Sequence, residues 1–146
     1  MPSSHHTNIG GKLKKAQGLI QSGQLEKAEQ VLLPLTKRYP RVEGPWLLLG
    51  SVYGHSGRYQ DVERCCRSII AINPENPMAL SLLGSACATL GKHEEAIVHL
   101  GKAAELDPDN PGIRYNLGNA LYTRGKAEEA EMEFRAVLQL NPGYAQ

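Results

Sequence analysis

The sequence predicts an all-α fold, an α-solenoid built from four stacked helix–turn–helix pairs. Three observations predict it. Prolines fall at Pro40, Pro74, Pro108 and Pro142, each 34 residues from the last. Glycines at Gly23, Gly57, Gly91 and Gly125 keep the same period. So do two series of small residues: Ala16, Gly50, Gly84, Gly118 and Ala28, Val62, Ala96, Ala130. Within each period apolar residues recur at helical spacing, as in Trp46, Leu49, Gly50 and Tyr53, or Leu80, Leu83, Gly84 and Cys87.

The period divides the chain into units at 9–42, 43–76, 77–110 and 111–144. A polar stretch at 1–8 is expected to be a disordered tail. Residues 145–146 would begin a further repeat or a cap. The first unit is degenerate. Lys12 and Lys15 stand at core positions, which suits a terminal repeat with a solvated outer face. Pro34 falls inside its second helix and should kink it. The second unit opens loosely at Gly44-Pro45. In the third, Asn76 can cap a helix N-terminus and Pro77 suits its first turn. Gly91 then ends that helix in the left-handed conformation. The second helix of the pair carries Ala96, Ile97, Leu100, Ala103 and Leu106 inward and stops at Asp107-Pro108. The stretch LDPDNP at 106–111 repeats INPENP at 72–77. It closes one hairpin and caps the next, and it is too short for a calcium loop of about twelve residues. Small residues at 50, 84 and 118 mark helix crossings, so Gly84→Leu should overpack one and cost about 1–3 kcal/mol.

Composition excludes several classes. Of 146 residues, 41% are apolar and 21% charged, enough for a packed core and not the signature of disorder. A net charge of +1 gives no footprint for nucleic acid. No apolar run is long enough to cross a bilayer, and MPSSHHTNIGG has no apolar signal region. Three cysteines without framework spacing fit reduced thiols in a cytoplasmic protein.

The motif W-x2-L-G-x2-Y…A-x3-F…P is met in the second unit by Trp46, Leu49, Gly50, Tyr53 and Pro74, with Val62 and Cys66 as substitutes. The third unit gives Leu83, Gly84, Ala96, Leu100 and Pro108. The fourth gives Leu117, Gly118, Ala130, Phe134 and Pro142. With these residues the chain resembles the tetratricopeptide-repeat family over 9–144. The resemblance implies a right-handed superhelix whose first helices line a concave groove, and a scaffold for protein–protein interaction.

Helical geometry then assigns the groove. In the second unit it is Leu47, Leu48, Ser51 and His55. In the third it is Met78, Ser81, Leu82, Ser85 and Thr89. In the fourth it is Gly112, Tyr115, Asn116, Asn119, Tyr122 and Thr123. The first unit offers Leu13, Lys14, Gln17 and Gln21. An apolar floor runs beside amides that can bond a peptide backbone through both donor and acceptor. Family members that clamp chaperone carboxylates do so with cations. Here the matching positions hold Leu13, Gln17, Leu48, Met78 and Leu82, or one unit later Leu47, Ser51, Leu82, Gly112 and Asn116. That partner class is rejected. The stretch 116–121, with Asn116 and Asn119, resembles repeats of O-linked N-acetylglucosamine transferases. The chain is thus expected to be either a peptide-binding scaffold or the substrate-recruiting arm of a glycosyltransferase or sulfotransferase continuing past Gln146.

No catalytic residues, cofactor or metal site is expected. Adjacent Cys65 and Cys66 point about 100° apart on a helix, Cys66 and Cys87 read as small core residues, and His55, His93 and His99 form no constellation with a carboxylate. A face holding Met132, Val137, Leu138 and Tyr144 is expected to be uncovered and to pair two copies as a homodimer.

Overall fold

The computed structural model describes residues 3–141, with side chains from residue 8 onward. Pro142, Tyr144 and residues 145–146 lie outside the described residues. Eight helices and no strand occur among them. They are α1 (Ser3–Gln21), α2 (Leu25–Arg38), α3 (Glu43–His55), α4 (Tyr59–Ile72), α5 (Pro77–Thr89), α6 (His93–Leu106), α7 (Pro111–Thr123) and α8 (Ala127–Leu140). The chain forms two compact units, 1–74 and 75–146. In the first, hairpins α1–α2 and α3–α4 stack through α2 on α3, with α1 also reaching α3. In the second, hairpins α5–α6 and α7–α8 stack through α6 on α7, with α5 touching α7. The all-α helical-repeat architecture is the one the period predicts.

The turn within each hairpin has one chemical solution. Gly23, Gly57, Gly91 and Gly125 have φ of 77°, 75°, 82° and 79°. The next residue then donates back five positions: Lys92 N–H bonds the Cys87 carbonyl at 2.8 Å, and Arg58 N–H bonds that of Tyr53 at 2.8 Å. This satisfies a carbonyl orphaned at the helix end. Gly91→Ala forces an L side chain into that conformation and should cost about 1–2 kcal/mol. A matching drop in urea midpoint at unchanged slope checks it.

The hairpins of the second unit are also capped by side chains. Asn76 Oδ1 accepts from Ala79 N–H at 3.1 Å, and Asn110 Oδ1 accepts from Gly112 N–H at 3.0 Å. Pro77 and Pro111 follow directly, where a missing N–H costs nothing. In the first unit α3 begins at Glu43 after Val42, which offers no side-chain cap.

The hairpins close on small residues. Gly84 faces Leu100 and Gly118 faces Phe134 so closely that a Cβ would lie 2.5 Å from Leu100 Cγ or 2.6 Å from Phe134 Cε1. The buried layer of the first unit includes Leu32, Leu49, Val62, Cys66 and Ile69. That of the second includes Leu83, Cys87, Ala96, Leu100 and Leu117.

One expectation changes. Helix α1 begins at Ser3, so the segment 1–8 expected as a disordered tail is helical from residue 3. No proline lies between Pro2 and Pro34 to stop a helix extending that way. Pro34 lies inside α2, as its position in the sequence implies, and the helix continues to Arg38. The ring faces solvent, and Thr36 Oγ1 donates to the Leu33 carbonyl at 2.8 Å beside it.

Candidate functional site

In the second unit, α5 and α7 present one face each to a shared cleft of about 290 Å³. Ser85 and Thr89 reach it from α5 at i,i+4, and Asn116, Asn119 and Thr123 from α7. Ala88, Leu100 and Ala120 form its apolar floor, with His93 at one side. Asn116 Nδ2 donates to Ser85 Oγ at 3.3 Å and ties the two walls together. The threonine hydroxyls turn onto their own helices: Thr89 donates to the Ser85 carbonyl and Thr123 to that of Asn119, at 3.0 and 2.9 Å. Asn119 is exposed, so its amide offers a donor and an acceptor to the cleft.

The structure therefore brings together five of the residues assigned to the groove of the third and fourth repeats, which make up the second compact unit. Others flank the cleft without lining it. Met78 is exposed, Ser81 and Leu82 are half-buried, and Tyr122 is 67% exposed. Tyr115 is half-exposed and leans on Phe134 of α8, with ring centroids 5.9 Å apart. In the first unit Leu47, Leu48 and Ser51 are half-buried on α3. His55 is exposed, its Nδ1 lying 2.7 Å from the Ser51 carbonyl oxygen.

The first unit has a cleft the sequence did not reveal. It measures about 440 Å³ and is lined in part by Trp46, Leu49 and Tyr53, read above as core, and rimmed by Lys37, Arg58 and Arg64. Trp46 is only half-buried, and its Nε1 donates to the Pro40 carbonyl at 2.9 Å. Arg58 lies 4.4 Å over the Tyr53 ring and pairs with Glu29 at 3.3 Å, while Tyr53 Oη donates to Glu29 at 3.2 Å. Burial first, then the neighbouring Glu29 carboxylate, pushes the Tyr53 phenol up to about 12. Burial also raises the Cys65 thiol to about 12, so it stays protonated and a poor nucleophile at neutral pH.

Two further assignments need correction. Val137, expected on an uncovered face, is 3% exposed. It follows Ala130 by seven residues, nearly two full turns, and so shares that residue's buried side. Met132 and Leu138 do face solvent. The second correction concerns His99. Its position in the sequence suggests no constellation, yet Cys87, Glu95 and His99 bring a sulfur, a carboxylate oxygen and an imidazole nitrogen within 4.8 Å of one another.

Among the described residues no helix is long and apolar enough to cross a membrane. Paired helical hairpins with an open cleft between first helices define a helical-repeat protein of the solenoid class. Family comparison makes this specific. A TPR repeat model matches residues 84–125 and a tetratricopeptide repeat model matches residues 111–144. Residues 84–144 thus match tetratricopeptide repeats, and the chain has the all-α helical-repeat fold of protein–protein interaction scaffolds. Solved structures agree on the fold. A crystal structure of MamA superposes with a TM-score of 0.82 at 21% identity, covering 88% of this chain and 75% of that one. MamA from Desulfovibrio magneticus RS-1 gives 0.81 at 22% identity, covering 90% and 75%. YrrB, described as a TPR protein with an unusual peptide-binding site, gives 0.79 at 23% identity, covering 92% and 69%. No curated protein matches the chain in sequence.

Proposed function

We propose that this chain is a scaffold that captures an extended peptide segment of a partner protein on the α5–α7 face of its second unit. The observation that carries this reading is the pairing of amides with an apolar floor in one cleft. Asn116 and Asn119 stand above Ala88 and Ala120. Asparagine can donate to a peptide carbonyl and accept from a peptide N–H at once, which holds a backbone without reading its side chains. The flanking Met78, Leu82 and Tyr122 supply apolar contact where partner side chains alternate. Leu47, Leu48, Ser51 and His55 offer a similar strip on α3 of the first unit. The cleft presents no lysine or arginine in its lining, which supports a neutral segment over an acidic tail. YrrB, a relative in fold, carries a peptide-binding site by its description.

The test is selection of peptides from a random displayed library on the immobilised chain. Enriched peptides should bind the parent and lose binding to Asn119→Ala. Enrichment that ignores Asn119 moves the site elsewhere.

A second reading, self-association, is supported by α8. Met132 is 71% exposed and Leu138 43% exposed. Sedimentation should show a dimer that Met132→Lys with Leu138→Lys converts to monomer. A monomeric parent removes this reading without touching the first.

A further inference from the structure

We propose that Cys87, Glu95 and His99 bind a divalent transition-metal ion, and that zinc is the ion their chemistry fits. Cys87 comes from α5, and Glu95 and His99 come from α6. The latter two are four residues apart and so lie on one helical face. The turn at Gly91 folds that face back onto Cys87. The three ligand atoms lie within 4.8 Å of one another, and Cys87 Sγ stands 3.9 Å from Glu95 Oε2. Zinc bonds of about 2.0–2.3 Å in a tetrahedron place ligand atoms roughly 3.3–3.8 Å apart. Closing the difference takes about an ångström, within reach of side-chain rotation at the exposed Glu95. Burial is graded in a way that suits entry: Glu95 is exposed, His99 half-buried and Cys87 buried. An ion arrives past the carboxylate and settles on the sulfur.

The donor set selects the ion. As the metal–sulfur bond forms, the Cys87 thiol releases its proton to solvent. The thiolate and the ionised Glu95 then carry two negative charges, and His99 binds as neutral imidazole. A divalent ion makes the filled site electrically neutral, which a partly buried position requires. Calcium needs six to eight oxygen ligands, and one carboxylate cannot supply them. Copper(I) prefers soft sulfur ligands, against the carboxylate here. Zinc accepts sulfur, nitrogen and oxygen together, and three protein ligands leave its fourth position to water. Bound there, the ion ties α5 to α6 and stabilises the folded second unit by mass action.

The test uses cobalt(II) as a spectroscopic stand-in, added to the reduced, chelator-treated full chain. The expected result is a thiolate-to-cobalt charge-transfer band with intense tetrahedral visible bands, saturating at one ion per chain and bleached by zinc. Zinc should also raise the thermal midpoint. His99→Gln keeps every cysteine and the His5-His6 pair, and the band should disappear in it while helical circular dichroism is unchanged. Cys87→Ser should lose the band as well. If that variant fails to fold, His99→Gln decides alone, because His99 is not in the core. A parent chain without the band overturns the proposal. So does a band that survives in His99→Gln, since His99 would then not be a ligand of the ion.

Discussion

Gly84→Ala destabilises the second unit by about 1–3 kcal/mol, and the same change costs less where position 100 already holds a smaller residue. The added Cβ would sit 2.5 Å from Leu100 Cγ, 3.1 Å from its Cδ2 and 3.3 Å from the Ala96 carbonyl oxygen. The nearest atom is the branch carbon, so swinging the tip of Leu100 away does not relieve the contact. Leu100 is fully buried, and Leu100→Ala alone leaves a cavity costing about 2–5 kcal/mol. In the double variant the new methyl occupies space the leucine left. The two losses should therefore fall short of additivity by about 1 kcal/mol or more. Urea unfolding of the parent, both single variants and the double variant measures this coupling. Additive losses would mean that the crossing tolerates a Cβ and that its small residues have another cause.

The second large effect is on binding. Asn116→Ala with Asn119→Ala should weaken capture of a selected peptide by about tenfold to a hundredfold. This follows from about 0.5–1.5 kcal/mol for each hydrogen bond lost. Melting should change little. Asn119 is exposed, and Asn116 contributes one hydrogen bond, to Ser85. The weakening should appear across peptides of different side chains, because amides hold the backbone. Loss confined to one peptide sequence would mean that the cleft reads side chains.

What the sequence made legible follows from how few solutions the chemistry allows. A helix that must reverse within three residues needs a left-handed position, so Gly23, Gly57, Gly91 and Gly125 announce the hairpins. A helix that starts after a tight loop needs an oxygen for its free N–H groups, so Asn76 and Asn110 announce α5 and α7. The α5–α7 cleft was legible in part, since Ser85, Thr89, Asn116, Asn119 and Thr123 follow from helical phase alone. Phase does not say how far a side chain leans on a neighbouring helix, so Tyr115 on Phe134 was not foreseen. Nor does it give depth: Trp46 reads as core yet is only half-buried at a cleft, whereas Tyr53, which lines the same cleft, is buried as expected. Cys87, Glu95 and His99 were missed for a related reason. Their meeting depends on how α6 lies against α5, and the spacing of eight and then four residues matches no familiar ligand motif. A search for ligand types on both sides of each hairpin glycine would have found them.

The central claim is that the α5–α7 face of the second unit holds a partner's backbone. It is tested most directly by nuclear magnetic resonance of the side-chain amides during titration with a library-selected peptide. The Asn116 and Asn119 amide signals should move first and saturate together, while backbone signals around Met132 and Leu138 on α8 stay in place. Peptide binding that leaves both asparagine amides unmoved would contradict it.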